Sequence, residues 1–120
     1  MNLKNLQEKV KTLADSTKTE YNVESPKERE ILAKTVKLNE EVGELCNDIL
    51  GILKLQRKSK LEKFDRRNVY QEFADVIITT IQLAQAAGVD IERAISDKMK
   101  TIEKRLKKEN NKNVHVSKNL

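Results

Sequence analysis

The sequence predicts an all-α fold, because its composition, its length and the spacing of its apolar residues all favour helices. The 120 residues include only one proline and three glycines, while Leu, Lys, Glu, Ala and Ile are plentiful. Apolar residues recur every three or four positions along most of the chain, which is the period of an amphipathic helix. A chain of this length forms one domain with a modest core, so we expect a helical bundle that oligomerisation completes.

Charge and cysteine content narrow the classes of partner and compartment. The 24 Lys and Arg residues against 19 Asp and Glu give a net charge of +5, which favours anionic partners. The lone cysteine, Cys46, rules out an internal disulfide, and its place in an apolar helix predicts a buried structural thiol. No stretch approaches a signal peptide's apolar segment or the roughly 20 apolar residues of a membrane span. We therefore expect a cytoplasmic protein without a membrane partner.

Two helices are predicted in the first half of the chain. The first covers residues 3–13, and its apolar stripe consists of Leu3, Leu6, Val10 and Leu13. After a polar stretch over residues 15–24, Ser25 is placed to cap a second helix, with Pro26 at the first helical position and Glu28 completing a capping box. The second helix should then run to about Leu55.

Two further helices are predicted in the second half. The third runs from about Arg67 to Ala87 and is apolar almost all round, so we expect it to be central in the bundle. Gly88 ends it, and Asp90 is placed to cap a fourth helix. Because the connection is short, these two helices are predicted to be antiparallel neighbours.

The predicted domain ends where the apolar periodicity stops. The apolar line of the fourth helix consists of Ile91, Ala94, Ile95, Met99, Ile102 and Leu106. From residue 107 the sequence becomes polar and aperiodic. We therefore predict a single helical domain over residues 1–106 and a polar, mobile tail over residues 107–120.

Acidic side chains concentrate at the edge of the predicted core. Glu41 and Glu44 in the second helix, and Glu72 and Asp75 in the third, form two pairs at a spacing of three, so each pair shares one helical face. Between the first two lies Gly43, although a glycine inside a helix costs about 1 kcal/mol relative to alanine. Such a glycine permits close approach of another helix or of a substrate.

The acidic pairs predict a metal site if the second and third helices lie side by side. Asp48 falls on the same flank as Glu41 and Glu44, whereas Glu40 points nearer to solvent. Carboxylates brought together in a poorly hydrated setting repel one another, and a divalent cation relieves that repulsion. Ligation by oxygen alone favours Mg²⁺ or Mn²⁺ over zinc.

These residues and their surroundings resemble the MazG-like, all-α nucleoside triphosphate pyrophosphohydrolases. The family pattern is E-E-x-x-E followed, after a variable gap, by E-x-x-D, and residues 40–44 (EEVGE) and 72–75 (EFAD) resemble its two halves. The resemblance extends in order from about Lys37 to Arg105. It covers "KLNEEVGEL" and "EFADVIITTIQLAQAAGVDIERAISDKM", and this context makes it specific.

The resemblance implies a fold, a reaction and a set of roles. The fold is a MazG-like helical bundle with an antiparallel central helix pair, assembled as a homodimer or homotetramer whose subunits share the core. The implied catalytic residues and Mg²⁺ ligands are Glu41, Glu44, Glu72 and Asp75. Lys98 and Arg105 match the family's phosphate-binding cations, and Lys37, one turn before Glu41, is a further candidate for substrate binding.

The implied reaction is Mg²⁺-dependent cleavage of a (d)NTP to the monophosphate and pyrophosphate, in house-cleaning of non-standard nucleotides. Phosphoribosyl-ATP hydrolysis is a related activity that the motifs resemble less. The chain departs from many members of the family at Ile102 and Leu106, because many relatives have an asparagine at the first position and a tyrosine at the second. This departure concerns phosphate contacts and substrate identity rather than the metal site.

Three other classes of protein were compared with this hypothesis. A ferritin-like di-iron site needs Glu-x-x-His pairs, and the sole histidine, His115, lies in the predicted tail. A nucleic-acid-binding helical protein would use the basic connection over residues 54–67 and the cations from Lys104 onward, but aromatic residues for base stacking are few. A catalytically silent bundle that retains the acids for assembly remains open. Only four aromatic rings are available to stack on a base, namely Tyr21, Phe64, Tyr70 and Phe73.

Overall fold

The computed structural model describes residues 2–18 and 23–118, which form five helices and, over those ranges, no strand. The helices are α1 (Leu3–Ser16), α2 (Pro26–Ile52), α3 (Lys58–Leu61), α4 (Arg66–Ala86) and α5 (Ile91–Lys118). The predicted all-α class is confirmed. Each predicted helix is present, and α3 is an additional single turn within the basic connection.

The helix ends follow the predicted capping residues. The Glu28 backbone N–H donates to Ser25 Oγ at 3.1 Å at the start of α2, and the Arg93 N–H donates to Asp90 Oδ1 at 3.1 Å at the start of α5. Between α4 and α5, Gly88 has a φ of +74°, a left-handed conformation that a residue with a side chain rarely adopts. These boundaries are therefore encoded locally.

The core lies between α2 and α4, which pack against each other along their length. Lys34, in the first half of α2, places its Nζ 3.5 Å from Oε1 of Gln82, near the end of α4. At the other end, Gly51 of α2 packs directly against the ring of Phe64, just before α4. The two buried apolar side chains among the described residues, Val69 and Ala84, both belong to α4.

The relation between α4 and α5 differs from the prediction. The chain bends by 107° between the two helices, and they contact each other only sparsely, so they are not antiparallel neighbours along their length. The short connection fixes where α5 begins but not how it packs. Among the described helices none alone has the length and apolarity of a membrane span, although α4 and α5 taken together across their bend do.

Regular structure continues past residue 106, into the segment predicted as a polar tail. Helix α5 continues through residue 107 to Lys118, where the sequence predicted a tail outside the helical domain. Lys and Glu residues just after position 106 favour helix and extend the backbone hydrogen bonds without needing an apolar face. Loss of apolar periodicity therefore marked the end of the apolar stripe rather than the end of the helix.

Much apolar surface is exposed in the single chain. Helix α4 is covered on one face only, and Phe73 and Ile77 are 50% and 59% exposed, so its predicted enclosure at the centre of a bundle does not occur within one chain. Cys46 is exposed, which corrects the predicted buried thiol, because it lies on a face of α2 that α4 does not cover. The radius of gyration is 22.6 Å, against about 14 Å for a compact domain of this length.

Candidate metal centre

Three of the predicted acidic side chains meet in the groove between α2 and α4. One carboxylate oxygen from each of Glu41, Glu72 and Asp75 lies within 4.8 Å of the other two. The packing of α2 on α4 creates this convergence, since the three residues belong to two helices separated by the basic connection. Acids that are distant in sequence thereby form one cluster.

Burial increases from Asp75 to Glu41 across this cluster. Asp75 is exposed, Glu72 is half-buried, and Glu41 is only 7% exposed. Oε2 of Glu41 and Oε2 of Glu72 are both shielded from solvent and have no hydrogen-bond partner in the structure. An unpaired buried carboxylate oxygen carries a large desolvation cost, so two of them in one groove require an explanation.

Lys37 provides a partial counter-charge. Its Nζ lies 3.1 Å from Oε1 of Glu41 and 3.4 Å from Oε2 of Glu40. The hydrogen bond to Glu41 and the charge of Glu40 raise the pKa of the Lys37 ammonium, which is thus held cationic. The ammonium satisfies one oxygen of Glu41 and leaves the other, Oε2, facing the groove.

Glu44 lies beside the three-residue cluster rather than within it. Its side chain is exposed, and the charge of Glu41 raises the pKa of the Glu44 carboxyl, with smaller contributions from burial and from Glu40. The structure therefore brings Glu44 within electrostatic range of the cluster but does not aim an oxygen of it at the shared space. A fourth ligand would require a change in the Glu44 side chain.

Glu72 experiences the most crowded acidic environment. Burial is the main cause of its raised pKa, and the charges of Glu44, Asp48, Asp75 and Glu41 add to the effect. Asp48 was not among the predicted ligands, although its position on the flank of α2, seven residues after Glu41, signalled its approach. The acidic site is thus wider than the sequence motif.

The predicted phosphate-binding cations on α5 lie apart from the cluster in this chain. Asp75 is about 16 Å before the end of α4, and Arg105 is about 21 Å beyond the start of α5, at 1.5 Å per residue. Since the helices diverge by 107°, Lys98 and Arg105 are carried away from the groove, and both are exposed. A single chain does not bring these cations to the acids.

The four aromatic rings are placed very differently. Phe64 is half-buried against Gly51 at the end of α2, whereas Tyr70 and Phe73 are 86% and 50% exposed. Tyr21 lies outside the described residues. Phe64 is consequently the one ring of the described part of the chain with a fixed, partly enclosed position.

The donor set fits a hard divalent cation. The cluster offers carboxylate oxygens alone, which suits Mg²⁺ or Mn²⁺ better than zinc. Glu41 and Glu72, which each bring an oxygen to the cluster, also each have a shielded oxygen that lacks a hydrogen-bond partner. A cation held there would satisfy both oxygens and offset the burial and the neighbouring negative charges that raise the pKa of Glu72.

This fold and site define a class of all-α proteins that gather carboxylates from two packed helices into a site suited to a divalent cation. The model of the MazG-like family matches residues 32–119. The chain therefore belongs to the MazG-like family, and the resemblance drawn from its motifs is confirmed. No curated protein and no solved structure gives a significant match to the chain.

Proposed function

We propose that this protein is a metal-dependent nucleotide pyrophosphohydrolase that converts a (d)NTP and water to the monophosphate and pyrophosphate. Membership of the MazG-like family supports this type of reaction at the level of the family. The observation that carries the proposal for this chain is the pair of shielded, unpartnered oxygens of Glu41 and Glu72 beside Asp75. Such a site has a clear use in holding a cation that in turn binds polyphosphate.

In this proposal Glu41, Glu72 and Asp75 hold Mg²⁺, with Mn²⁺ as a substitute, and Glu44 joins them as a fourth ligand. When bound, the ion supplies a water of lowered pKa and neutralises charge on the phosphate oxygens. Glu41 or Glu44 orients the attacking water by accepting its hydrogen bond. As the α–β phosphoanhydride breaks, the water oxygen stays on one phosphorus and the bridging oxygen leaves with the other phosphate group.

The proposed substrate-binding cations act from two places. Lys37 is held one helical turn from the cluster by Glu40 and Glu41, from which its ammonium can reach a phosphate oxygen. Lys98 and Arg105 contribute from α5 of a second copy, since α5 of the same chain diverges from the groove. Each site would then be completed by its neighbour.

We further propose that α2 and α4 of one chain are the antiparallel central pair, and that in an assembly of two or four copies α5 packs on a neighbouring subunit. The support is the exposed apolar line of α5, in which Ile95, Met99 and Leu106 are 57%, 49% and 52% exposed. A monomer rarely leaves so continuous an apolar stripe in water. Assembly would cover it and bring cations to the acids.

The activity is tested by measuring pyrophosphate release from a panel of triphosphates in Mg²⁺ or Mn²⁺, with and without chelator. The panel contains standard and damaged (d)NTPs, and phosphoribosyl-ATP as the related alternative. We expect release from at least one substrate only when metal is present. Glu41→Gln and Asp75→Asn should each lower the rate at least about a hundredfold, because each removes a charged ligand.

A matched control separates the site from a general loss of negative charge. Glu62→Gln makes the same substitution at an exposed residue that ends α3 and is not one of the clustered acids. It should retain activity, and all three variants should keep the helicity of the wild type by circular dichroism. Full activity in both Glu41→Gln and Asp75→Asn would show that the assigned site is wrong.

A further inference from the structure

A polar cleft adjoins the acidic cluster where α2 ends and α4 begins. Its volume is about 210 Å³, and its lining consists of Asn47, Asp48, Gln56, Lys60, Lys63, Phe64, Asp65 and Asn68. We call it the end cleft. This volume is well above the roughly 10–15 Å³ needed for a single water, so the cleft has room for a small ligand group.

The end cleft and the metal centre lie between the same two helices, α2 and α4. Asn68 precedes Glu72 by four residues on α4, so the two share a helical face and stand about 6 Å apart along the helix. On the opposite wall, Asp48 follows Glu44 by four residues on α2. A ligand with its phosphates at the acidic cluster would therefore extend its other end into the cleft.

The lining mixes hydrogen-bond donors and acceptors in a partly fixed arrangement. Gln56 donates through Nε2 to the backbone oxygen of Asn47 and, at 2.6 Å, to its Oδ1. Those bonds leave Gln56 Oε1 and the Asn47 NH₂ group available to a ligand, and Asn68 adds a third amide. Amides supply the adjacent donor and acceptor groups that read the edge of a nucleobase.

The charges of the cleft lining balance. Asp48 and Asp65 offset Lys60 and Lys63, so the lining lacks the excess of cations that a phosphate site uses. Asp65 is also committed, since it accepts from the Arg67 backbone N–H at 3.0 Å and pairs with Arg67 Nη2 at 3.0 Å. Its carboxylate is thus held in place and largely compensated by Arg67.

Phe64 supplies an apolar wall. Its ring packs so closely on Gly51 that a Cβ at that position would come within 2.5 Å of Phe64 Cδ2. The ring is therefore held in place by the backbone of α2 and lines the cleft with a flat apolar surface. Flat heterocycles stack on such surfaces in a way that tolerates different bases.

We propose that the end cleft binds the nucleobase of the substrate, with Asn47, Gln56 and Asn68 reading the base edge and Phe64 contacting the ring. This inference rests on the proposed nucleotide hydrolysis at the acidic cluster. It assigns base selection to the connection between α2 and α4 of the same chain that holds the metal ligands. The base preference should then change with the amides and not with the acids.

The test is the variant Asn68→Ala, with Asn111→Ala on the exposed face of α5 as the matched control. For the preferred triphosphate we expect Asn68→Ala to lower kcat/KM about tenfold, the loss of one or two net hydrogen bonds. The inhibition constant of inorganic triphosphate, which has phosphates but no base, should stay unchanged. Equal weakening of inorganic triphosphate, or no change in kcat/KM, would overturn the proposal.

A binding measurement keeps this test separate from the proposed reaction. In ¹⁵N-labelled Glu41→Gln protein, titration with a panel of free nucleosides should shift the side-chain amide signals of Asn47, Gln56 and Asn68. The Asn111 amide signals should not move. Shifts in the variant would support the base site even if the wild type hydrolyses no triphosphate. Unshifted signals, together with an active wild type, would exclude the base site and leave the proposed reaction standing.

Discussion

Helices α4 and α5 both present apolar residues along their length, but only α4 is covered by another helix of the same chain. Helix α4 packs one face on α2 and buries Val69, Thr79 and Ala84 to below a tenth of their surface. Helix α5 packs on α4 only near their junction and leaves Ile95, Met99 and Leu106 about half exposed. An apolar stripe therefore predicts that a helix will be covered, but not whether its own chain covers it.

The contrast extends to function. The acids meet because α2 and α4 are partners in one chain, whereas the cations of α5 stand apart from them. Metal binding is thus expected to be a property of the single chain. Phosphate binding by Lys98 and Arg105 is expected to depend on a second copy, so the two properties should be separable.

The largest expected effect comes from placing a charge on the apolar line of α5. Ile102→Glu puts a carboxylate where we propose that a neighbouring subunit packs, and its desolvation would weaken association at least about a hundredfold. Sedimentation velocity should show the oligomer replaced by monomer. Binding of Mn²⁺ to the acidic cluster, measured by calorimetry, should persist because α2 and α4 remain paired.

Lys104→Gln is the control for this experiment, because it changes the net charge by the same amount on the opposite face of α5. The assembly that this variant forms should sediment with the same mass as the wild-type assembly. A wild-type protein that is already monomeric, or an Ile102→Glu variant of unchanged mass, would remove the proposed assembly. The comparison between the two helices would then need another explanation for the exposed stripe.

The next effect concerns the packed end of α2. Gly51→Ala places a methyl group 2.5 Å from Phe64 Cδ2, so the ring and the connection to α4 must move. We expect a loss of about 1–3 kcal/mol in the free energy of unfolding, as in other overpacked sites, measured by urea denaturation. Combining it with Phe64→Leu should recover part of the loss, and simple addition of two losses would contradict direct contact.

Local chemistry accounts for what was predictable from the sequence. Ser25, Gly88 and Asp90 act through neighbouring backbone groups, so their roles as helix boundaries follow from sequence alone. The acidic spacing placed Glu41 and Glu72 on helical faces that could meet. These features need no knowledge of how helices far apart in the chain are arranged.

The features that the sequence did not predict depend on tertiary arrangement. The 107° bend, the exposure of Cys46 and the position of Arg105 depend on which surfaces find partners, and spacing within one helix does not encode that. The extension of α5 to Lys118 was missed because helix propensity persists after the apolar line ends. The end cleft escaped notice because its residues are drawn from α2, the connection and α4.

A smaller effect should appear in the pH dependence of stability. Burial, aided by Glu44 and its neighbours, raises the pKa of Glu72 above its ordinary 4.5, so the folded state disfavours the charged carboxylate. The stability that comes from protonated Glu72 is present below pH 4.5 and is lost as the pH rises through the raised pKa. The contribution of Glu72 to the stability of the metal-free protein should therefore be more favourable at acidic pH than at neutral pH.

Glu72→Gln isolates that contribution. In chelator at pH 7 we expect the variant to melt above the wild type by roughly 4 °C, which corresponds to about 1 kcal/mol in a domain of this size. The difference should vanish below pH 4.5, where the wild-type carboxyl is also neutral. With saturating Mg²⁺ the wild type should melt above the variant, since only the wild type has the carboxylate ligand. If Mg²⁺ does not change which protein melts at the higher temperature, Glu72 is not a ligand.

The smallest effect is expected at Gly43, the other glycine of α2. No atom lies within 4 Å of a Cβ built there, in contrast to Gly51, so alanine should raise the free energy of unfolding by up to about 1 kcal/mol. The reciprocal change Ala33→Gly, also exposed on α2, should lower it by a similar amount.

If Gly43 leaves room for substrate between Glu41 and Glu44, Gly43→Ala should still lower kcat/KM. A more stable enzyme with unchanged kcat/KM would show that neither substrate nor a second copy approaches this backbone.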